Sequence, residues 1–402
     1  MTDTADRNNT TERLHALDNL RAAMMWLGIV IHVAVIHMVA PSPLPWHDDR
    51  STPVADLLTA FIHAFRMPVF FILAGFFVAL LVQKGGLRGM LKNRLHRLAL
   101  PFALFWPVLF ACVAVLALLF VNRMATGTWG LDRTLMPTGP HIPQGPGTMH
   151  LWFLWMLLWF SVLTAPACWL ADRVPAIPRM IASAFGRLAG AWWGFLLLSI
   201  PLAWVGSFYA NGVVAPTGSF VPPLAEWLHN GLFYVFGFYL HRNQQALFAL
   251  YTRRWPWYAA AGLVFFMATG VLVEMLARSG TEKPHLAWWI ALVYNCASWL
   301  WSFALIGLFL RYLQRPHAWL GYLCDSSYWV YLAHFPLTIA FGALLYGLPL
   351  PALAKIAINV LATTAVCLAS YHLFVRFTAI SVLLNGRRHA RKKLTGETAH
   401  AT

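Results

Sequence analysis

Arg21 and His32 are the first residues whose types and spacing suit chemistry, eleven positions apart in LDNLRAAMMWLGIVIHVAVIH. On a helix, eleven steps of about 100° return to one face, with the two side chains roughly 16 Å apart along the axis. A neutral imidazole takes a proton from a hydroxyl as its oxygen attacks, and it does so near pH 7. A guanidinium stays charged and grips phosphates with two parallel hydrogen bonds. The pair therefore fits group transfer from a phosphorylated donor at one end of the helix to a hydroxyl acceptor arriving from the other. The plainer alternative is an arginine reaching for lipid phosphates and a histidine bonded to a neighbouring helix. Asp18 is too far along the helix to orient His32, so any carboxylate partner must come from another segment.

A second group lies in FIHAFRMPVFFILAGFF, where His63 and Arg66 are three apart and share a helix face. Pro68 frees a backbone carbonyl one turn earlier and favours a kink. Arg66 reads as the wall of a polar cavity, or as half of a structural ion pair with Asp48 or Asp56. A third group comprises His150 in MHLWFLWMLLWF and His334 in DSSYWVYLAHFPLTIAF, with Pro336 two residues on. Taken singly, each histidine reads as a satisfied core or interface residue, and only several of them pointing at one cavity would mark a site. His37 reads as interfacial, and Ser326 and Ser327 as helix caps.

What must position these residues follows from composition. The chain has 402 residues, 59% hydrophobic and 11% charged, with a formal charge of +15 and a mean hydropathy of +0.62. Soluble domains carry about 25% charged residues, so a cytosolic enzyme and a disordered chain are both excluded. The basic residues lie in short clusters between apolar runs, not on one solvated face, which argues against nucleic acid. Cys112, Cys168, Cys296, Cys324 and Cys367 form no C-x-x-C pair, so neither a disulfide framework nor a metal site is expected. The polar first twenty residues do not read as a signal peptide.

A bilayer core of roughly 30 Å takes about 20 apolar residues in a helix. Ten stretches qualify, at 20–39, 57–82, 98–121, 151–171, 190–206, 227–240, 257–276, 287–310, 327–346 and 353–374. The expected fold is an all-α, polytopic integral membrane protein with about ten transmembrane helices. With the N-terminus inside, twenty lysines and arginines fall in inner segments and six in outer ones, which predicts that both termini are cytoplasmic. The expected organisation is a tail at 1–16, a membrane domain at 17–376 and a basic tail at 377–402. The Gly- and Pro-rich outer segment 122–150 reads as a lid or binding loop.

At this point the motifs are recognisable. LDNLRAAMMWLGIVIH resembles the R-x10-H signature in the first span of the membrane acyltransferase 3 family. FIHAFRMPVFFILAGFF, HLWFLWMLL and SSYWVYLAHFPLTIAFGA resemble further motifs of that family in the right order, most closely in its glucan biosynthesis protein C branch. The resemblance implies a ten-span enzyme of the bacterial inner membrane, surrounded by lipid. Such an enzyme moves an acyl group from cytoplasmic acyl-CoA, succinyl-CoA or acetyl-CoA, to a hydroxyl of a periplasmic glycan. No bound cofactor is implied. In the glucan branch the group is succinyl and the acceptor an osmoregulated periplasmic glucan.

Carried over, His32 becomes the general base and Arg21 its partner toward the donor. Arg66 belongs to the second motif, and a cationic contact for the far carboxylate of succinate is the expectation for it. His63, His150 and His334 are expected to line the site. Trp46 and Trp129 in the outer loops are available to stack on sugar rings. Branches carrying an extra secreted SGNH hydrolase domain are not expected, since only a short basic tail follows the last span. The alternatives are O-acetylation of lipopolysaccharide or exopolysaccharide, a transporter of anions or glycans, and a non-catalytic scaffold. The transporter is disfavoured because the halves show no internal similarity.

Overall fold

The computed structural model describes residues 2–42, 44–137, 146–209, 211–279, 284–315 and 317–388, with side chains from residue 15 onward. The tip of the outer 122–150 segment, Lys283 and the basic tail from 389 lie outside the described residues. Among the described residues there are twelve α-helices and no strand. They are α1 (Thr2–Ile36), α2 (Pro53–Arg94), α3 (Leu100–Thr126), α4 (Trp152–Arg173), α5 (Ala176–Gly190), α6 (Gly194–Gly206), α7 (Leu224–Arg242), α8 (Gln244–Ser279), α9 (Pro284–Tyr312), α10 (Ala318–Leu345), α11 (Ala352–Ser370) and α12 (Ala379–Asn385).

Each of the ten apolar stretches lies mainly on one of these helices. Seven helical segments are long and apolar enough to cross a membrane, or eight if the bent pair α5–α6 is one crossing, with 114° between its arms. One of the seven is the run Pro53–Thr126, 74 residues long. At 1.5 Å per residue it is several times longer than one bilayer crossing requires. It holds two of the expected spans, α2 and α3, joined through a break at Gly86, where φ is 65°, and a π-helical turn at Leu95–Ala99. Helix α7 carries Glu226, His229 and Asn230 and is not apolar enough to be counted, and together with the merging of α2 with α3 and the bend between α5 and α6 this brings the count below ten.

Helix ends follow local chemistry. The Thr52 hydroxyl accepts from the Val54 N–H, Pro53 takes the first turn, and Asp56 sits at that positively polarised end. Gly127 closes α3 in the left-handed conformation, φ 73°. Between helices, glycines set the closest approaches. A Cβ on Gly75 would run into the carbonyl of Tyr234, and one on Gly237 into the carbonyl of Ile72, so α2 and α7 meet backbone to backbone. Small residues are what allow such contact where lipid, as apolar as leucine, supplies no hydrophobic drive between helices.

The outward faces are apolar: Val264, Met267, Val271, Leu361 and Leu373 are all exposed. Polar groups such as Arg66, Asn359, Lys355 and His334 are buried instead. That inversion is what a lipid solvent demands, and the protein is a multi-pass membrane protein. Helix α1 sits at the centre, in contact with α2, α9, α10 and α11.

Candidate active site

Gly28 lies one turn before His32 on α1, and its missing side chain makes room for two groups from other helices. A Cβ there would stand 2.7 Å from an Arg66 guanidinium nitrogen, Nη2, and 3.2 Å from His334 Nε2. Arg66 reaches this point from α2, its Nε donating to the Met24 carbonyl at 2.8 Å. Its guanidinium also lies over the Phe70 ring, 5.6 Å from the centroid. No carboxylate among the described residues pairs with Arg66. The two suggested partners are engaged elsewhere: Asp48 pairs with Lys355, and Asp56 accepts from the backbone N–H groups of Val39 and Ala40.

His334 comes from α10 and is fully sealed from solvent. Its Nδ1 is 2.8 Å from the Val330 carbonyl, and since a carbonyl can only accept, Nδ1 carries the proton. Nε2 is then the unprotonated nitrogen of the neutral ring. It has no protein partner and faces the Gly28 gap.

Pro336 explains the third imidazole. With no N–H, it leaves the Leu332 carbonyl one turn earlier without its helix bond, and His150 Nε2 donates to that carbonyl at 3.2 Å. His150 is presented by a tight turn, Met149–Leu151, before α4. Met149 is the one non-glycine described with positive φ, 52°, a costly conformation held by its surroundings. The Thr148 N–H and hydroxyl both donate to the Gly218 carbonyl, and the Tyr331 hydroxyl donates to the His150 carbonyl at 2.8 Å.

His32 completes the group. It is half-buried and makes no hydrogen bond to the described residues; its ring centroid is 5.2 Å from that of His334. The His150 and His334 centroids are 5.5 Å apart, and Phe335 lies 4.9 Å from both His32 and His150. Three imidazoles and one unpaired guanidinium thus converge from α1, α2, α10 and the turn before α4. Two of the imidazoles have their proton-bearing nitrogen fixed by a carbonyl. Such an arrangement can take up and return a proton beside a centre that develops negative charge.

The other two expected site residues lie elsewhere. Arg21 shares the face of α1 but lies eleven residues before His32, pairing with Asp18 at 3.1 Å. His63 takes a different partner from Arg66 despite the three-residue spacing. Its Nδ1 meets the Tyr294 hydroxyl at 3.3 Å in a separate small polar pocket with Glu226, His229 and Asn230. Among the described residues no three histidine, cysteine or carboxylate side chains are gathered closely enough to hold a metal ion. Reading the sequence did not single out Gly28, Tyr331 or Phe335. The link from Pro336 to the Leu332 carbonyl was legible as a four-residue offset, but its acceptor role needed the fold.

The sequence model for the acyltransferase domain matches residues 14–372. Proteins called glucans biosynthesis protein C from Salmonella agona (strain SL483) and Salmonella heidelberg (strain SL476) are 26% identical over 385 residues. Those alignments cover 93% of this chain and 95% of theirs. No solved structure matches. The chain belongs to the acyltransferase family whose domain spans nearly its whole length, and it is an acyltransferase.

Proposed function

We propose that this enzyme moves a succinyl group from succinyl-CoA, bound at the end bearing the termini, to a hydroxyl of a periplasmic glucan at the opposite end, in the bacterial inner membrane. The observation that carries this reading is the meeting of His32, His334, His150 and Arg66 around Gly28. The similarity to glucans biosynthesis proteins supports the acceptor class, and the unpaired Arg66 supports a dicarboxylic acyl group.

In this reaction the glucan oxygen attacks the thioester carbonyl carbon while His32, the half-buried imidazole without a hydrogen-bond partner among the described residues, takes its proton. The carbon–sulfur bond of the tetrahedral intermediate breaks, and the CoA thiolate recovers the proton from the imidazolium. His334 and His150, held by the Val330 and Leu332 carbonyls, keep the polar wall in place. Arg66 faces the far carboxylate of the succinyl group.

Mass spectrometry of periplasmic glucans from cells with and without the gene tests this reading. Succinyl esters should disappear in its absence. Loss of acetyl esters from lipopolysaccharide or exopolysaccharide would replace it with the acetyltransferase alternative, and unchanged esters would refute acyl transfer to these glycans.

A further inference from the structure

Arg94 ends α2 at the face of the molecule that carries Arg21, far from the imidazoles. Its Nε is sealed from solvent and has no hydrogen-bond partner. The charges within reach of it are Arg21 and Arg97, both cations, and two phenols, Tyr234 and Tyr328. Arg97 stands on the π-helical turn that follows α2, and Gly386, which caps α12, lies directly against its guanidinium. The neighbouring polar groups have other engagements. Tyr328 donates to the Arg97 carbonyl at 2.7 Å, Tyr234 bonds Thr164, and Asp18 pairs with Arg21.

A sealed guanidinium nitrogen beside two like charges is unfavourable unless an anion neutralises it. Three arginines from α1, the end of α2 and a π-helical turn, converging without a shared carboxylate, form a fork suited to phosphate oxygens. π-helical turns of this kind recur at functional sites.

The distance to the imidazoles narrows the ligand. From Arg21 to His32 is eleven residues of α1, roughly 16 Å. On α10, Tyr328, Tyr331 and His334 follow at three-residue steps and line one face from the arginines to the imidazoles. The arm linking the diphosphate of CoA to its sulfur is a chain of amides comparable to about five extended residues, roughly 17 Å. We propose that Arg94, Arg97 and Arg21 seat the diphosphate of the CoA donor, so that the arm spans α1 and α10 and delivers the thioester to His32. This rests on the donor assigned above. The same chemistry could be offered by the phosphate of an anionic lipid headgroup.

The test uses the purified full-length chain in nanodiscs of phosphatidylcholine alone. It measures the Kd for CoA and for pantetheine, which lacks the diphosphate, and the KM for succinyl-CoA and succinyl-pantetheine. Arg94→Met and Arg97→Met should each weaken CoA binding and raise the succinyl-CoA KM by at least about tenfold, while the pantetheine values stay unchanged. Arg94→Lys should recover part of the loss, which separates charge from folding. If the CoA values are unaffected and native mass spectrometry shows loss of retained phosphatidylglycerol instead, the seat belongs to lipid and the proposal is overturned. Equal losses for CoA and pantetheine overturn it as well, while leaving the donor intact. Failure of the wild-type chain to bind CoA at all overturns both the seat and the donor.

Discussion

Lys355 binds Asp48 at 2.8 Å with both side chains at 0% exposure, and its Nζ also reaches Asp49 at 2.6 Å. The pair ties the start of α11 to the loop between α1 and α2. That loop returns onto the open end of α1 through Asp48 N–H to the Ile36 carbonyl and Thr52 N–H to the His37 carbonyl. It also carries Trp46, which is buried against Phe335, the ring between His32 and His150. The ion pair thus holds one wall of the imidazole cluster. Lys355→Met should destabilise the protein by about 3–5 kcal/mol, because it strands a buried carboxylate. Lys355→Met with Asp48→Asn should recover much of that. Denaturation in detergent measures both, and equal stability of all three proteins would refute the clamp.

Asp49 gives the clamp a pH signature. Burial alone would raise its carboxyl, but hydrogen bonds from Lys355 and the Gly347 N–H hold it down to about 2. A carboxyl whose folded pKa is depressed stabilises the fold above its unfolded value, near 3.9. That stabilisation fades as pH falls between about 4 and 2. Wild type should therefore be more stable than Asp49→Asn at pH 5 to 7, with the gap closing across that acid window. A gap unchanged down to pH 2 would show that Asp49 contributes no charge-dependent stability.

His32→Ala should lower acyl-CoA-dependent labelling of the acceptor by roughly 10²- to 10⁴-fold, the usual worth of a general base, with the protein still folded. His334→Gln removes the free nitrogen beside Arg66 and should also lose activity, though less. Single-turnover assays on gel-filtered protein check both. Wild-type rates in His32→Ala would move the base to another residue.

These particular residues mark what a linear reading can reach. His32, Arg66, His150 and His334 were legible because ionisable groups in apolar segments are costly and must serve something. Their common meeting point was not, because it depends on Gly28, a residue with no chemistry whose value is the space it leaves. Spacing joined His63 to Arg66, yet the two side chains take different partners, Tyr294 on α9 for His63 and the Met24 carbonyl on α1 for Arg66, and that choice depends on which helices pack against α2. Nothing in the sequence near Lys355 signals its ion pair, since its partners lie about 300 positions away. The helices themselves were legible from length and hydropathy. The bend between α5 and α6 and the continuous run from α2 into α3 were not, being set by backbone geometry at Gly86 and around residue 191.

Arg66 and Gly28 can be probed separately. Arg66→Gln should cost succinyl transfer at least about tenfold more than acetyl transfer, as loss of a charge-assisted bond to the far carboxylate implies. Equal loss of both would place the guanidinium at the reacting carbonyl instead. Gly28→Ala inserts a methyl 2.7 Å from Arg66 Nη2 and must displace it, so it should reproduce the Arg66→Gln pattern more weakly while leaving the charge in place. Parallel kcat/KM measurements with the two donors decide.

Pro336→Ala tests how the imidazoles are held. In most helices replacing an interior proline is stabilising, since it restores a backbone bond. Here the restored N–H would compete for the Leu332 carbonyl, which His150 Nε2 uses at 3.2 Å. His150 would lose part of its anchor, and with it the fixed proton position that leaves Nδ1 as the free acceptor. The variant should therefore be at least as stable as wild type yet slower, by a few-fold to about tenfold, the scale of one weakened neutral hydrogen bond. A fall in both stability and rate would point to a bent α10 as the reason for the proline. Unchanged rate with higher stability would mean that His150 needs no carbonyl to hold it. Only stability maintained together with a slower rate matches a proline retained to free an acceptor for the active site.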